Sequence, residues 1–211
     1  MINNCLRFFL KSSLNIFSNN YLNHKNIILK ILGAKISKKV SIAKDVFFNL
    51  SKPQNLTIKE NTVIGKNTLI KIREDGKLVI NKNCSIEEDC RIIAAREGTL
   101  IIGDYSNIAC SSHLISGGIL EIGSNTLISP FCYICSSKIK TKKGVNIMTQ
   151  DYEHGKIIIG NDVLVGRLAT IKSGCNIKDG TIIGSNAYVK ISTEENGIYV
   201  GTPLKNIGFR S

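Results

Sequence analysis

Apolar and polar positions alternate along this chain with a period that neither a helix nor a simple strand produces. Between Ile159 and Val189 an aliphatic residue stands at every sixth position: Ile159, Val165, Ile171, Ile177, Ile183 and Val189. Four residues after each of the first five comes a small or β-branched one, Val163, Ala169, Cys175, Thr181 and Ala187. A helical face repeats near 3.6 residues and a half-buried strand about every 2. A strict six, with Gly160, Gly166 and Gly184 next to the aliphatic, predicts short strand, turn and short strand. Three such units close one triangular coil of a parallel β-helix, so the expected fold class is an all-β solenoid.

A longer repeat starts at Ile36. Ile36, Ile58, Ile80 and Ile102 are 22 residues apart, and Ile122 follows after 20. A coil of three hexapeptides needs 18, so these coils carry extra residues at one corner. Gly76, Gly98, Gly118 and Gly155 each precede an aliphatic that stands two residues before the register Ile, and the spacing predicts that they stack at that corner. The interval from Ile122 to Ile159 is 37 residues and reads as about two coils, with Thr141 and Ile147 as register candidates. After Val189 the pattern dissolves, and Pro203 ends it. The solenoid is thus expected over 34–200, with a short C-terminal tail at 201–211.

Residues 1–33 are patterned differently. Leu6, Phe9, Leu10, Leu14 and Phe17, then Tyr21, Ile27, Ile28, Ile31 and Leu32, follow helical spacing and predict two short helices. No apolar run approaches the ~20 residues needed to cross a bilayer. The segment reads as a cap over the open end of the solenoid or as a basic amphipathic anchor at the inner membrane face, and the two readings are compatible.

Composition narrows the partners. With 28 Lys+Arg against 16 Asp+Glu the chain carries +12, which favours phosphorylated cofactors, anionic glycans or membrane surfaces. Nucleic acid is the weakest anionic partner, since no helix-turn-helix, zinc-finger spacing or aromatic-basic platform is present. Cys84, Cys90, Cys132 and Cys175 fall in the small slot four residues after an aliphatic and read as core residues. Cys132 and Cys135 form a CxxC with no second pair to complete a metal set, so no metal site is expected. An odd thiol count without a cleavable leader reads as cytoplasmic.

The block IGNDVLVGRLATIKSGCNIKDGTIIGSNAYV, followed by VGTPLK, resembles the hexapeptide-repeat acyltransferases, whose motif runs IG-DD-VWIGANVTI-PGV-IGDGAVIGAGSVV with a later GNPAK. The resemblance covers roughly Ile36 to Lys205. It implies a left-handed parallel β-helix, a homotrimer, and acetyl-CoA as acyl donor in a groove between subunits. It also implies a His that deprotonates the acceptor, which then attacks the thioester without an acyl-enzyme. An imidazole, with an intrinsic pKa of about 6.5, suits that exchange at neutral pH.

The family's His precedes the IG-DD-VWIG block, and here that region holds His154, next to the corner Gly155. His154 is the expected general base, set to project outward from a rigid corner. His113, on an earlier coil in an outward slot, is the competitor, and His24 reads as incidental. Asp151 or Glu153 is expected to orient the imidazole. By resemblance and position Gly166, Arg167, Ala187, Lys190 and Lys205 are the cofactor candidates: Gly166 for close approach of pantetheine, Lys190 and Lys205 for its phosphates. Leu164 stands where the family often has Trp, and Arg167 where it has Ala.

The leading expectation is an acetyl-CoA-dependent O-acetyltransferase on a sugar hydroxyl of a surface polysaccharide or its precursor. Peripheral membrane contact through residues 1–33 is compatible with it. The alternatives are an N-acetyltransferase on an amino-sugar nucleotide and a non-catalytic scaffold. A γ-class carbonic anhydrase needs three zinc-binding His and is disfavoured, because His24, His113 and His154 include no close pair.

Overall fold

The six-residue pattern closes into seven stacked coils in the computed structural model, which describes residues 22–210. Each coil contributes one strand to each of three parallel sheets. The first sheet runs from Lys35–Ile36 to Asn176–Ile177, the second from Ser41–Ile42 to Ile182–Ile183, and the third from Phe47–Leu50 to Tyr188–Val189. The column expected at the first corner forms as spaced: Ile36 pairs Ile58, then Ile80, Ile102, Ile122, Ile159 and Ile177. Side chains alternate across each strand, so one aliphatic set fills the coil interior while the other positions face out. The fold class is the expected β-helix of hexapeptide repeats with a short helix near its N-terminus.

The turns explain the small slot. Its hydroxyls and thiols donate to a carbonyl of the next coil: Ser106 to Gly123 at 2.7 Å, Thr126 to Gly160 at 2.8 Å and Cys84 to Gly103 at 3.0 Å. The slot therefore selects for small size, and a hydroxyl or thiol there can also bond the next coil. Asn61, Asn67, Asn83, Asn125 and Asn186 take the left-handed turn positions at φ between 56° and 59°, a conformation that Asn tolerates well.

Burial pushes the Cys84, Cys90 and Cys132 thiols up to about 11, about 12 and about 11. All three are protonated at pH 8 and lack the thiolate that alkylating reagents attack. Iodoacetamide at pH 8 should leave them unmodified in the folded protein and label them after unfolding, as read by mass spectrometry of the two digests.

Two expectations change. The interval from Ile122 to Ile159 holds one coil, not about two. The chain leaves the third sheet at Ser136, runs out as an antiparallel hairpin of Ser137–Ile139 against Tyr152–His154, and re-enters at Gly155. Thr141 and Ile147 lie on the exposed tip and hold no register. Cys132 and Cys135 stand on opposite faces of their strand, Cys132 inward and Cys135 paired outward between Ile115 and Lys172, so the two thiols do not converge. Among the described residues no three His, Cys, Asp or Glu side chains gather as metal ligands.

The ends are closed differently. The helix Leu22–Ile31 lies over the first coil with Leu29 and Leu32 buried, while Lys25 Nζ donates to Val46 O at 2.9 Å and Asn26 to Val40 O at 2.8 Å. This helix packs on the first strands of the solenoid. The other predicted helix falls before residue 22, outside the described residues. No helix among the described residues is long and apolar enough to cross a membrane. At the far end Gly197–Val200 adds to the second sheet, and Lys205–Phe209 folds back antiparallel to it, so residues 205–209 of the tail form an edge strand.

Candidate active site

Stacking places residues from different coils in rows on the outer face of the third sheet. One row reads Lys71, Ile93, Ile115, Cys135 and Lys172. A parallel row, nearer the start of the strands, contains Arg91, His113 and Tyr133. The hairpin rises beside the end of the first row and walls a cleft of about 620 Å³. Lys71, Ile93, Ile115 and Lys172 line its floor, Tyr152 and His154 its hairpin wall.

His154 is exposed on the return strand of that hairpin. Its Nδ1 lies 2.8 Å from Ser137 Oγ, directly across the antiparallel pair. In the tautomer with hydrogen on Nδ1, the ring donates to Ser137 and Nε2 carries the lone pair that is not used in this bond. The Tyr152 ring stacks beside it at 6.4 Å between centroids. The imidazole also sits against bare backbone: a Cβ on Gly117 would lie 2.4 Å from His154 Nδ1 and 2.4 Å from Ser137 Oγ. Gly117 and Gly118 are held in place by their own N–H groups, which both donate to Ser136 Oγ at 3.2 Å. The corner glycines thus stack as the spacing predicted, and at this coil they also make room for the ring.

The expected carboxylate partners are not at the imidazole. Glu153 points to the opposite face of the strand and pairs with Lys138 at 2.9 Å, which holds its carboxyl below the usual range. Asp151 is exposed nearer the hairpin tip, where its backbone carbonyl accepts from Lys140 N at 2.9 Å. Ser137 takes the orienting position. Ser137→Ala should lower kcat by up to about tenfold, the worth of one neutral hydrogen bond, with acceptor KM little changed in steady-state kinetics.

His113 stands apart. It begins the strand that ends beside Gly117, four residues away, roughly 13 Å at ~3.3 Å per residue. Burial, aided by the Arg91 charge, holds its pKa below the usual imidazole value. Within one chain it does not share the His154 cleft. His24 lies in the helix Leu22–Ile31.

The cofactor candidates divide between two corners. Gly166 and Arg167 precede the strand Thr170–Lys172, at the edge of the third sheet opposite His154. Gly166 is buried, and a Cβ there would meet Ser185 N at 2.6 Å, so close stacking of coils already requires its glycine. Arg167 is exposed and lies over the Phe131 ring at 5.1 Å. Ala187 is 1% exposed, leaving only its backbone to offer a ligand. Lys205 is exposed near the same corner, whereas Lys190 is exposed on the His154 side, past the end of Tyr188–Val189.

Sequence reasoning missed Ser137, Tyr133, Cys135, Lys71 and Lys172. Burial, then the neighbouring Cys135 and Tyr152, push the Tyr133 phenol up to about 12, so it stays protonated and can donate. All but Ser137 occupy outward positions. Aligning coils on the corner glycines and reading their outward columns would have collected those four.

A family model for the bacterial transferase hexapeptide (six repeats) matches residues 156–190. WbbJ of Escherichia coli (strain K12), named as a lipopolysaccharide biosynthesis O-acetyl transferase, is 26% identical over 64% of this chain and 74% of its own length. A chloramphenicol acetyltransferase of Agrobacterium fabrum is 32% identical over 57% of each chain, and an Escherichia coli dTDP-4-amino-4,6-dideoxy-D-glucose acyltransferase is 29% identical over 63% and 71%. Among solved structures, a point mutant of the Bacillus cereus N-acyltransferase AntD, in complex with dTDP and coenzyme A, superposes with a TM-score of 0.65 at 22% identity over 90% of both chains. The polySia-specific acetyltransferase NeuO gives 0.61 at 20% identity over 83% and 80%. At these identities the superpositions establish the fold. The chain thus carries the bacterial transferase hexapeptide repeat at residues 156–190 and is similar, over about two thirds of its length, to proteins named for acetyl and acyl transfer.

Proposed function

We propose that this acyltransferase moves an acetyl group from acetyl-CoA to a sugar hydroxyl of a surface polysaccharide or its precursor, with His154 as general base. The observation that carries the reading is the His154–Ser137 pair, fixed over Gly117 at the wall of a cleft. His154 Nε2 takes the hydroxyl proton as the acceptor oxygen forms its bond to the thioester carbonyl carbon. When the carbon–sulfur bond breaks, the proton returns to the departing thiolate. Tyr133 supplies a protonated phenol on the cleft side. The relationship to WbbJ supports a polysaccharide acceptor.

The donor's phosphates are assigned to Lys190, Lys205 and Arg167, all exposed cations on the last coils. The family resemblance implies a homotrimer, and one in which a subunit's corner meets its neighbour's cleft would bring Arg167 and Lys205, which lie across the third sheet from His154 within one chain, to the site. Phe131 and Leu168 support a contact there. Both sit at that corner in the left-handed conformation, at φ 61° and 62°, with about half their surface exposed. Such strained, exposed apolar side chains cluster at ligand and subunit contacts. In the proposed setting residues 1–33 rest on the inner membrane face, and Ile27 and Ile31, both exposed on the helix Leu22–Ile31, are available for it.

A second reading, acylation of an amino-sugar nucleotide nitrogen, is favoured by the relative named for that chemistry. The two are separated by incubating the protein with acetyl-CoA and a panel of polysaccharides and nucleotide sugars, then treating the product with mild alkali. Loss of the acetyl group identifies an ester and supports O-transfer; retention identifies an amide and overturns it.

A further inference from the structure

The His154 cleft is cationic at both ends of the solenoid axis. Lys71 and Lys172 lie in one row, each two coils from Ile115, or about 10 Å at ~4.8 Å per coil. Arg96 lines the same cleft from the corner one coil before Gly117. The acids nearby are largely spent. Glu74 pairs with Arg73 at 3.1 Å and accepts from Arg96 N, and Glu153 pairs with Lys138. Glu97 lines the adjoining groove on the far side of His154. Among the described residues Lys71, Arg96 and Lys172 have no ion-pair partner.

A donor whose thioester lies at His154 can place its phosphates at only one of these ends. With Lys190 and Lys205 on the last coils, that end is the one holding Lys172. The other end, Lys71 and Arg96, then faces the acceptor. Between them Ile93 and Ile115 form a half-buried apolar floor that suits the face of a sugar ring. We infer that Lys71 and Arg96 form a subsite for an anionic group on the acceptor, a carboxylate or a phosphate attached to the sugar that receives the acyl group. Arg96 offers a forked donor to such a group and Lys71 a point charge. The inference rests on the acetyl-transfer reading above.

The test titrates three probes onto the full chain in the presence of coenzyme A: a hexuronic acid oligosaccharide, its carboxyl-reduced form, and a sugar-phosphate oligomer of similar length. The expected result is that at least one acidic probe binds about tenfold or more tighter than the reduced one, and that Lys71→Gln with Arg96→Gln removes the preference. The acidic arm that binds identifies the group. Lys190→Gln should instead weaken coenzyme A. Equal binding of acidic and reduced probes, binding of none, or a double variant that loses coenzyme A affinity in place of oligosaccharide affinity overturns the subsite. The two readings fail separately. Acid-selective binding without any thiol release from acetyl-CoA keeps the subsite and sinks acetyl transfer, whereas thiol release with acidic and reduced acceptors used alike does the reverse.

Discussion

Replacing His154 by Gln is expected to lower kcat for the proposed acetyl transfer by roughly 10²–10⁴-fold, the usual contribution of a positioned general base. The side chain is exposed and makes one side-chain hydrogen bond, to Ser137, so the fold hardly depends on it. Gln keeps a polar group of similar length but cannot accept and return the proton. The melting temperature and the affinity for acetyl-CoA are therefore expected to stay near those of the unmodified protein, while steady-state kinetics show the loss in kcat. A kcat within tenfold of the unmodified enzyme would remove His154 from the chemistry, with His113 as the next base to test.

Two adjacent glycines should fail in opposite ways. A Cβ at Gly117 meets the far ends of two side chains, His154 Nδ1 and Ser137 Oγ, each at 2.4 Å. Those groups can swing aside, so Gly117→Ala folds but unseats the imidazole. A misplacement of about 1 Å can cost about 10²-fold in rate, and a loss of that order in kcat with an unchanged melting temperature is expected. A Cβ at Gly118 meets the backbone carbonyl oxygen of Gly155 at 2.2 Å, which is fixed by Ile119 N donating to it at 3.0 Å. Nothing flexible can yield there, and the two coils must separate. Gly118→Ala is expected to destabilise by about 1–3 kcal/mol or more in urea unfolding. If Gly117→Ala proves the less stable of the two, the ring is not seated as described.

The solenoid was legible because its physics is local and periodic. Each hexapeptide needs an inward aliphatic and a small residue in the turn, and that demand repeats from Ile58 to Val189 whatever the outward residues are. The hairpin at 137–154 obeys no such period. Its strands pair with each other rather than with the coils above and below, so Thr141 and Ile147 mimic the register without holding it. His154 could be found because it abuts the corner glycine column. Ser137 could not, since its position opposite His154 depends on an antiparallel pairing that the repeat does not encode. The carboxylates at 151 and 153 misled for a related reason: neighbours along a strand point to opposite faces, and Glu153 is drawn to Lys138. Lys71 and Lys172 are 101 residues apart in the chain and share a row only once the coils are stacked.

The proposed reaction is direct transfer from acyl-CoA to a glycan acceptor bound in the His154 cleft. Its most direct test is the rate of thiol release from acetyl-CoA with and without polysaccharide and nucleotide-sugar acceptors. Release is expected to require both the protein and an acceptor and to saturate with acceptor concentration. Release at the same rate without any acceptor, or none across the whole panel, would contradict it.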